Sequence, residues 1–374
     1  HCRFRKWNSR QAFLIMEDNM QGGMFVTLYD EKTLKLYLNK GLYGFLMKPT
    51  SVDSVTSRSK HYAVLADYAC SREGTDLFFF LKRKIVYGGK IYGNRDCSSF
   101  YINGQNSPLG QRTQANLFWD ESPRYTPTGT PGVFKVNSKD KAQPFIFQFA
   151  QNENTGKYII SDELYFNLGR KYPYPLPSNS MQGMSFCTLT PGEVKELINL
   201  LSQSDKSIDF SECDDINKSG EERLFDNSLV DIRSEFINEA QMEFSILSSL
   251  TPLHELFENN YILCRQVPIS PFKPMDMDRA DICLYSLDSP IREGTIPNIV
   301  IELKKGKTNY HAYNQTVRYL NWLKMITTDE EFSKVKAFII ANSFYPIKRN
   351  KVNTCFEEKI KMFSIDSFSF VELR

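Results

Sequence analysis

Histidine is scarce in this chain, and its cysteines are scattered. Four histidines occur in 374 residues (His1, His61, His254 and His311), and the eight cysteines include no CxxC or similarly short spacing. Neither a zinc cluster nor a histidine-based triad can therefore be assembled from sequence neighbours. No apolar run approaches the roughly 20 residues a membrane span needs, and no signal-peptide pattern opens the chain. The expectation is a soluble, cytoplasmic protein with no membrane partner. An excess of one charge is missing too: 46 Lys plus Arg against 44 Asp plus Glu leave +2. Composition alone does not announce a nucleic-acid binder, and any polyanion site has to be a local patch. No repeat recurs at a fixed period. The chain opens on His1 rather than methionine, as expected of a processed product or one continued upstream.

Hydrophobic residues at 41% and charged residues at 24% are close to the globular norm. At roughly 100–200 residues per domain, the length predicts two domains or three rather than one. Residues 1–203 read mainly as strands and turns, with LFFFLKRKIVYGGKIYG, PFIFQFA and KYIIS as β-rich runs. NGQNSPLGQ and SPRYTPTGTPG between them read as loops. TPGEVKELINLLSQ predicts a helix, with Thr190 as its N-cap, Pro191 at the first position and Glu193 three residues after the cap. Residues 204–231 turn polar and acidic and read as a linker. Residues 232–374 then alternate: SEFINEAQMEFSILSSL as helix, ADICLYS and NIVIELK as strands, HAYNQTVRYLNWLKMI as helix, KAFIIAN as strand. Such alternation argues for an α/β domain, a mixed sheet flanked by helices.

The chemistry concentrates there. Alternate side chains of a strand share a face, so Glu302 and Lys304 point one way and Leu303 the other. If ADICLYS is the hairpin neighbour, joined through SLDSPIREGTIP, Asp281 sits across from Glu302 and the pair suits a hard divalent cation. Strand-borne charges usually face solvent. Here Ile299, Val300, Ile301 and Leu303 surround them, so the strand reads as buried and its charges need a partner such as a metal. KKGK, including Lys305 and Lys307, adds positive charge beside the site; a solvated turn is the competing reading.

Asp281 followed by Glu302-x-Lys304, with NEAQMEFSIL before and NQTVRYLNWL after, resembles the PD-(D/E)xK nuclease superfamily. Over about 234–340 it looks most like the restriction-endonuclease-like nuclease domain of NucS-type enzymes. Ala280 stands where the superfamily pattern often has proline. The resemblance implies a restriction-endonuclease-like fold and Mg²⁺, with Mn²⁺ able to substitute. Asp281, Glu302 and the Leu303 carbonyl would hold the ion, Lys304 would orient or activate water, and Glu239 would anchor metal-bound waters, making Asp281, Glu302 and Glu239 the metal set. Glu243, one turn away on the same helix face, competes with Glu239 for that role. Gln315 would support the site, and Arg318 reads as a phosphate or structural contact. Tyr319 and Trp322 read as core aromatics.

TDLFFFLKRKIVYGGKIYG resembles the strand pair of PUA-like modules of the EVE and ASCH type, whose aromatic pocket receives a flipped base. Tyr87, Tyr92, Tyr101, Trp119 and Tyr125 are candidates, with packing as the competing role. Lys82, Arg83 and Lys84 could touch phosphate or form a charged hairpin turn; Arg170 and Lys171 offer a second contact. The expectation is thus a Mg²⁺-dependent endonuclease acting on double-stranded DNA, with a β-rich N-terminal domain selecting the target in a restriction role, modified-base-dependent or not. A mismatch- or branch-directed nuclease, a non-cleaving nucleic-acid-binding protein and a nuclease gated by a small ligand are the alternatives. Cutting both strands favours a homodimer.

Overall fold

The structure, a computed structural model, describes residues 20–46, 55–71, 73–91, 100–102, 126–127, 133–136, 138–142, 145–163, 166, 186–210, 236, 238–248, 260–269 and 279–374. They form a mixed α/β protein. The N-terminal half contributes β1 (Gly23–Thr27), α1 (Glu31–Lys40), β2 (Leu42–Gly44), α2 (Val55–Cys70), β3 (Asp76–Leu81), β4 (Lys84–Ile91), β5 (Phe100–Ile102), β6 (Thr126–Pro127), β7 (Val133–Val136), β8 (Lys139–Ala142), β9 (Phe145–Ala150), β10 (Tyr158–Ile160), β11 (Phe186–Leu189) and α3 (Pro191–Ser202). Eight of these strands make one sheet in the order β11-β1-β3-β4-β9-β2, with β10 on β4 and β5 on β9, while β6, β7 and β8 pair separately.

The C-terminal half contributes α4 (Glu239–Leu247), β12 (Tyr261–Pro268), β13 (Arg279–Ser286), β14 (Ile299–Thr308), α5 (Tyr310–Ile326), β15 (Lys336–Phe344), β16 (Ile360–Ser364) and β17 (Ser369–Val371). Its six strands follow chain order across the sheet. β14, β15 and β16 run parallel, and the remaining pairings are antiparallel. The parallel β14–β15 pair needs a crossover, and α5 supplies it.

Local chemistry explains these helices. Asn309 caps α5 by accepting the His311 N–H at 2.9 Å, and Asn238 caps α4 by accepting the Gln241 N–H at 2.9 Å. The capping box of α3 forms as its sequence predicts, between Thr190 and Glu193. The N-terminal half holds two helices that its β-rich composition did not suggest. α1 lies between an Asp30 N-cap and left-handed Gly41, while α2 carries the β-branched and aromatic residues that weaken a helical reading.

The C-terminal sheet buries both faces. Ile301 and Leu303 join α4 residues Met242 and Phe244 on one side, and Val300 and Ile339 join α5 residues Val317 and Leu320 on the other. Full burial of a residue such as Leu303 contributes on the order of 2 kcal/mol. The first of these clusters continues into α2, β1 and β3, so apolar packing runs unbroken from one half into the other. The two sheets also meet at their edges. The Thr188 hydroxyl on β11 accepts the Arg265 N–H at 3.0 Å and lies 3.1 Å from the Arg265 carbonyl oxygen on β12.

The start of the stretch read as a linker is packed against β10. Ile208 is buried and its N–H donates to the Gly156 carbonyl at 2.9 Å, and the Tyr158 N–H donates to the Lys206 carbonyl at 3.0 Å. Residues 211–231 of that stretch lie outside the described residues.

Candidate active site

The β13–β14 ladder pairs Leu284 with Ile299, Cys283 with Val300 and Ile282 with Ile301, and there it stops. One step further on each strand stand Asp281 and Glu302. Instead of continuing the ladder, Asp281 Oδ2 accepts the Leu303 N–H at 2.7 Å. Two carboxylates thus face each other where the strands part. Glu302 is almost wholly buried; its Oε1 lies 2.5 Å from Lys304 Nζ, and its Oε2 lies 3.0 Å from the Tyr319 hydroxyl. Lys304 reaches Glu302 because the strand's alternation puts both on the α5 side of the sheet.

Burial sets the charge states. It pushes Asp281 up to about 8, and Glu302 opposite and Glu243 behind it push the same way, against the Leu303 N–H and Lys304. Burial also raises Glu302, despite the ammonium of Lys304 and the Tyr319 hydroxyl. For Lys304 burial works downward, but Glu302, Asp281 and Glu239 outweigh it and hold the ammonium above the ordinary lysine value. Asp281 therefore keeps its proton at neutral pH, while the Lys304 ammonium lies against Glu302.

Of the helix acids, Glu239 is exposed, its Oε1 lies 3.4 Å from the Lys305 N–H, and its charge is felt at Glu302 and Lys304. Glu243 is instead bound twice by Arg265, Nε to Oε1 at 2.9 Å and Nη2 to Oε2 at 2.6 Å. Gln315 touches the site one step removed, its Nε2 donating to the Tyr319 hydroxyl at 2.6 Å. Tyr319 fills the core as an aromatic should, yet its hydroxyl also enters the site, which its apolar ring gave no means of reading.

Lys305 and Lys307 are exposed. A bulge between Lys304 and Lys307 turns the register, so that Lys304 pairs with Ala341 and Lys307 with Ser343. Left-handed Gly306 makes the bulge, and its N–H donates to Asn342 Oδ1 at 3.0 Å. Strict alternation from Glu302 would send Lys307 to the opposite face; the bulge returns it to the Lys304 face, with Nζ 4.4 Å from the Tyr345 ring centre. Arg318 is exposed on α5.

Lys82 and Arg83 form the two-residue β3–β4 turn, both at positive φ. Arg83 pairs with Asp162, and Lys84 lies over the Tyr158 ring at 4.7 Å. Two of these three charges are thus engaged within the fold. Tyr87 is buried and donates to Asp76 Oδ1 at 2.8 Å. Tyr92, Trp119, Tyr125, Arg170 and Lys171 lie outside the described residues, as does the side chain of Tyr101.

Sequence reasoning missed β12, although YILCRQVP is a short apolar run bounded by proline. Its Gln266 faces Asp281 and donates from Nε2 to Oδ1 at 3.1 Å. Arg265 beside it binds Asp67 of α2 as well as Glu243, through Nη1 to Oδ1 at 2.7 Å.

Among the described residues, no group of three or more His, Cys, Asp or Glu side chains is arranged to hold a metal ion. Mg²⁺ does not require one, since one or two carboxylates with water and substrate oxygens commonly complete its shell. Asp281 and Glu302, hard oxygen donors set across from each other, fit such an ion once Asp281 releases its proton. Among the described residues no helix is long and apolar enough to cross a membrane. Compared with protein-family models, with curated proteins and with solved structures, the chain shows no match.

Proposed function

We propose that the chain is a Mg²⁺-dependent endonuclease that hydrolyses phosphodiester bonds of double-stranded DNA, with its N-terminal half selecting the target as a restriction enzyme does. One observation carries this reading: Asp281 and Glu302 face each other at the open end of a strand ladder, with Lys304 beside them. A mixed sheet with α4 on one face and α5 on the other accords with a restriction-endonuclease-like arrangement.

Asp281 and Glu302 would hold the ion. When bound, it would shield phosphate charge and acidify water. The chain supplies the rest. Tyr319 fixes Glu302 through its hydroxyl, and the Leu303 N–H fixes Asp281. Lys304, as an ammonium, offers its protons to the phosphate oxygens on which negative charge builds. Lys307, returned to the same face by the Gly306 bulge, neutralises the next stretch of the DNA backbone.

A non-cleaving nucleic-acid-binding protein is the second reading. It is favoured by the engagement of both carboxyl groups with protein donors at every oxygen. The experiment that separates the two is incubation of plasmid, methylated, hydroxymethylated, mismatched and single-stranded DNA with Mg²⁺ or Mn²⁺. Wild type is run beside Asp281→Ala and Lys304→Ala. Metal-dependent cutting lost in both variants supports the nuclease. No cutting of any substrate, with DNA binding unchanged in the variants, overturns it.

A further inference from the structure

Alternation along β12 and β13 fails at one pair of residues. Cys264 and Val267 are three apart yet enter the same core layer, as do Cys283 and Ala280 across from them. Between these pairs lie Gln266 and Asp281, in register with each other but outside the ladder. The break has a local cause: Gln266 adopts φ +54°, the left-handed region, where a side chain with a Cβ is strained. Such a conformation persists only where the surroundings over-determine it.

The surroundings here come from both halves of the chain. Arg265, one residue back, is gripped at the backbone by Thr188 and at the side chain by Asp67, the Ala63 carbonyl and Glu243. Three of those four partners belong to the N-terminal half. On the other side of the strained residue, the Gln266 amide reaches Asp281 Oδ1 while the Leu303 N–H takes Oδ2. Both oxygens are thus oriented, one from within the nuclease-like sheet and one by the neighbour of Arg265, whose backbone and side chain the N-terminal half holds.

We propose that Gln266 is a positioning residue for the Asp281 carboxylate, and that the N-terminal half holds it in place through Arg265. The half assigned to target selection is then mechanically joined to the acid of the metal site. What Asp281 does with its orientation rests on the nuclease reading; the orienting itself does not.

The test uses the full chain and three variants: Gln266→Gly, Gln266→Asn and Asp67→Ala. Glycine relieves the left-handed backbone and removes the amide, asparagine favours that backbone and keeps an amide, and Asp67→Ala leaves Arg265 still paired with Glu243. Three quantities are read: melting temperature, Mn²⁺ affinity by calorimetry, and hydrogen exchange of the Leu303 amide, which reports the hold on Asp281 without any metal. Gln266→Gly should melt no lower than wild type, yet bind Mn²⁺ ~10-fold more weakly and exchange at Leu303 faster. Asp67→Ala should show the same two losses in smaller measure, and Gln266→Asn should recover part of them. Wild-type exchange at Leu303 in Gln266→Gly overturns the positioning role, and loss in Gln266→Gly without any in Asp67→Ala overturns the link to the N-terminal half. If wild type binds no Mn²⁺, the metal reading falls and the exchange measurement alone decides the proposal.

Discussion

The Tyr319 hydroxyl sits 3.0 Å from Glu302 Oε2 and 2.8 Å from the Arg279 carbonyl oxygen, so one buried phenol ties α5 to both strands that carry the facing acids. It also accepts from Gln315, and its single proton is shared between the two oxygens. Burial, reinforced by Glu302, keeps this hydroxyl protonated across the ordinary pH range.

Tyr319→Phe keeps the ring and removes the tie. A hydrogen bond to a charged partner is worth ~1.5–3 kcal/mol, so cleavage should fall by about 10-fold or more while the chain still folds. Single-turnover plasmid cleavage and a thermal melt check this; an unchanged rate would detach Tyr319 from the chemistry.

Metal should act on stability through Asp281 and Glu302. Asp281→Asn removes the carboxyl that burial and Glu302 hold protonated, so without metal the variant should gain on wild type as pH rises towards 8. Added Mn²⁺ should raise the wild-type melting temperature and leave the variant unmoved, and a chelator should reverse the gain. A variant that still responds to Mn²⁺ places the ion elsewhere.

Asp67 makes a pH prediction. Burial pushes it up to about 6, with Arg265 opposing and Glu243 adding. Between its ordinary 3.8 and about 6, the folded chain keeps a proton that the unfolded chain has released. The contribution of this group to stability therefore falls as pH rises through that window and stays low above it. Asp67→Asn should gain on wild type between pH 4 and pH 7. Melts at the two ends read this, and a constant difference between the proteins would refute it.

Lys307→Ala should weaken DNA binding with little effect on the rate of the bound complex. The slope of log affinity against log salt should become shallower by ~1, as loss of one phosphate contact requires. Titrations at several salt concentrations measure the slope, and an unaltered slope would return Lys307 to its contact with Tyr345 alone.

The Lys82–Arg83 turn makes a prediction about stability alone. Both residues sit at positive φ, where Asn-Gly is favoured, and the exposed Arg83–Asp162 pair contributes little. Replacing Lys82 with Asn and Arg83 with Gly should therefore stabilise the chain, read as a higher midpoint of urea denaturation. A less stable double variant would show that the ion pair outweighs the strain.

The sequence by itself determined whatever depends on near neighbours. Period-two alternation in NIVIELK put Glu302 beside Lys304 and opposite to Leu303, and the Thr190–Glu193 spacing determined a capping box. Asp281 and Glu302, 21 positions apart, were legible as partners only because a hairpin is the simplest link between two adjacent strands. Tertiary structure decided the rest. The hydroxyl of Tyr319 counts only because α5 crosses over the open ladder, and Lys307 shares the Lys304 face only because a bulge breaks the period-two alternation. Arg265 and Asp67 are separated by 198 positions and Gln266 is strained between two halves, so neither relationship leaves a local pattern. Periodicity records which face of its own element a side chain occupies; which side chains meet across elements is settled by packing, where burial and charge are balanced over the whole chain.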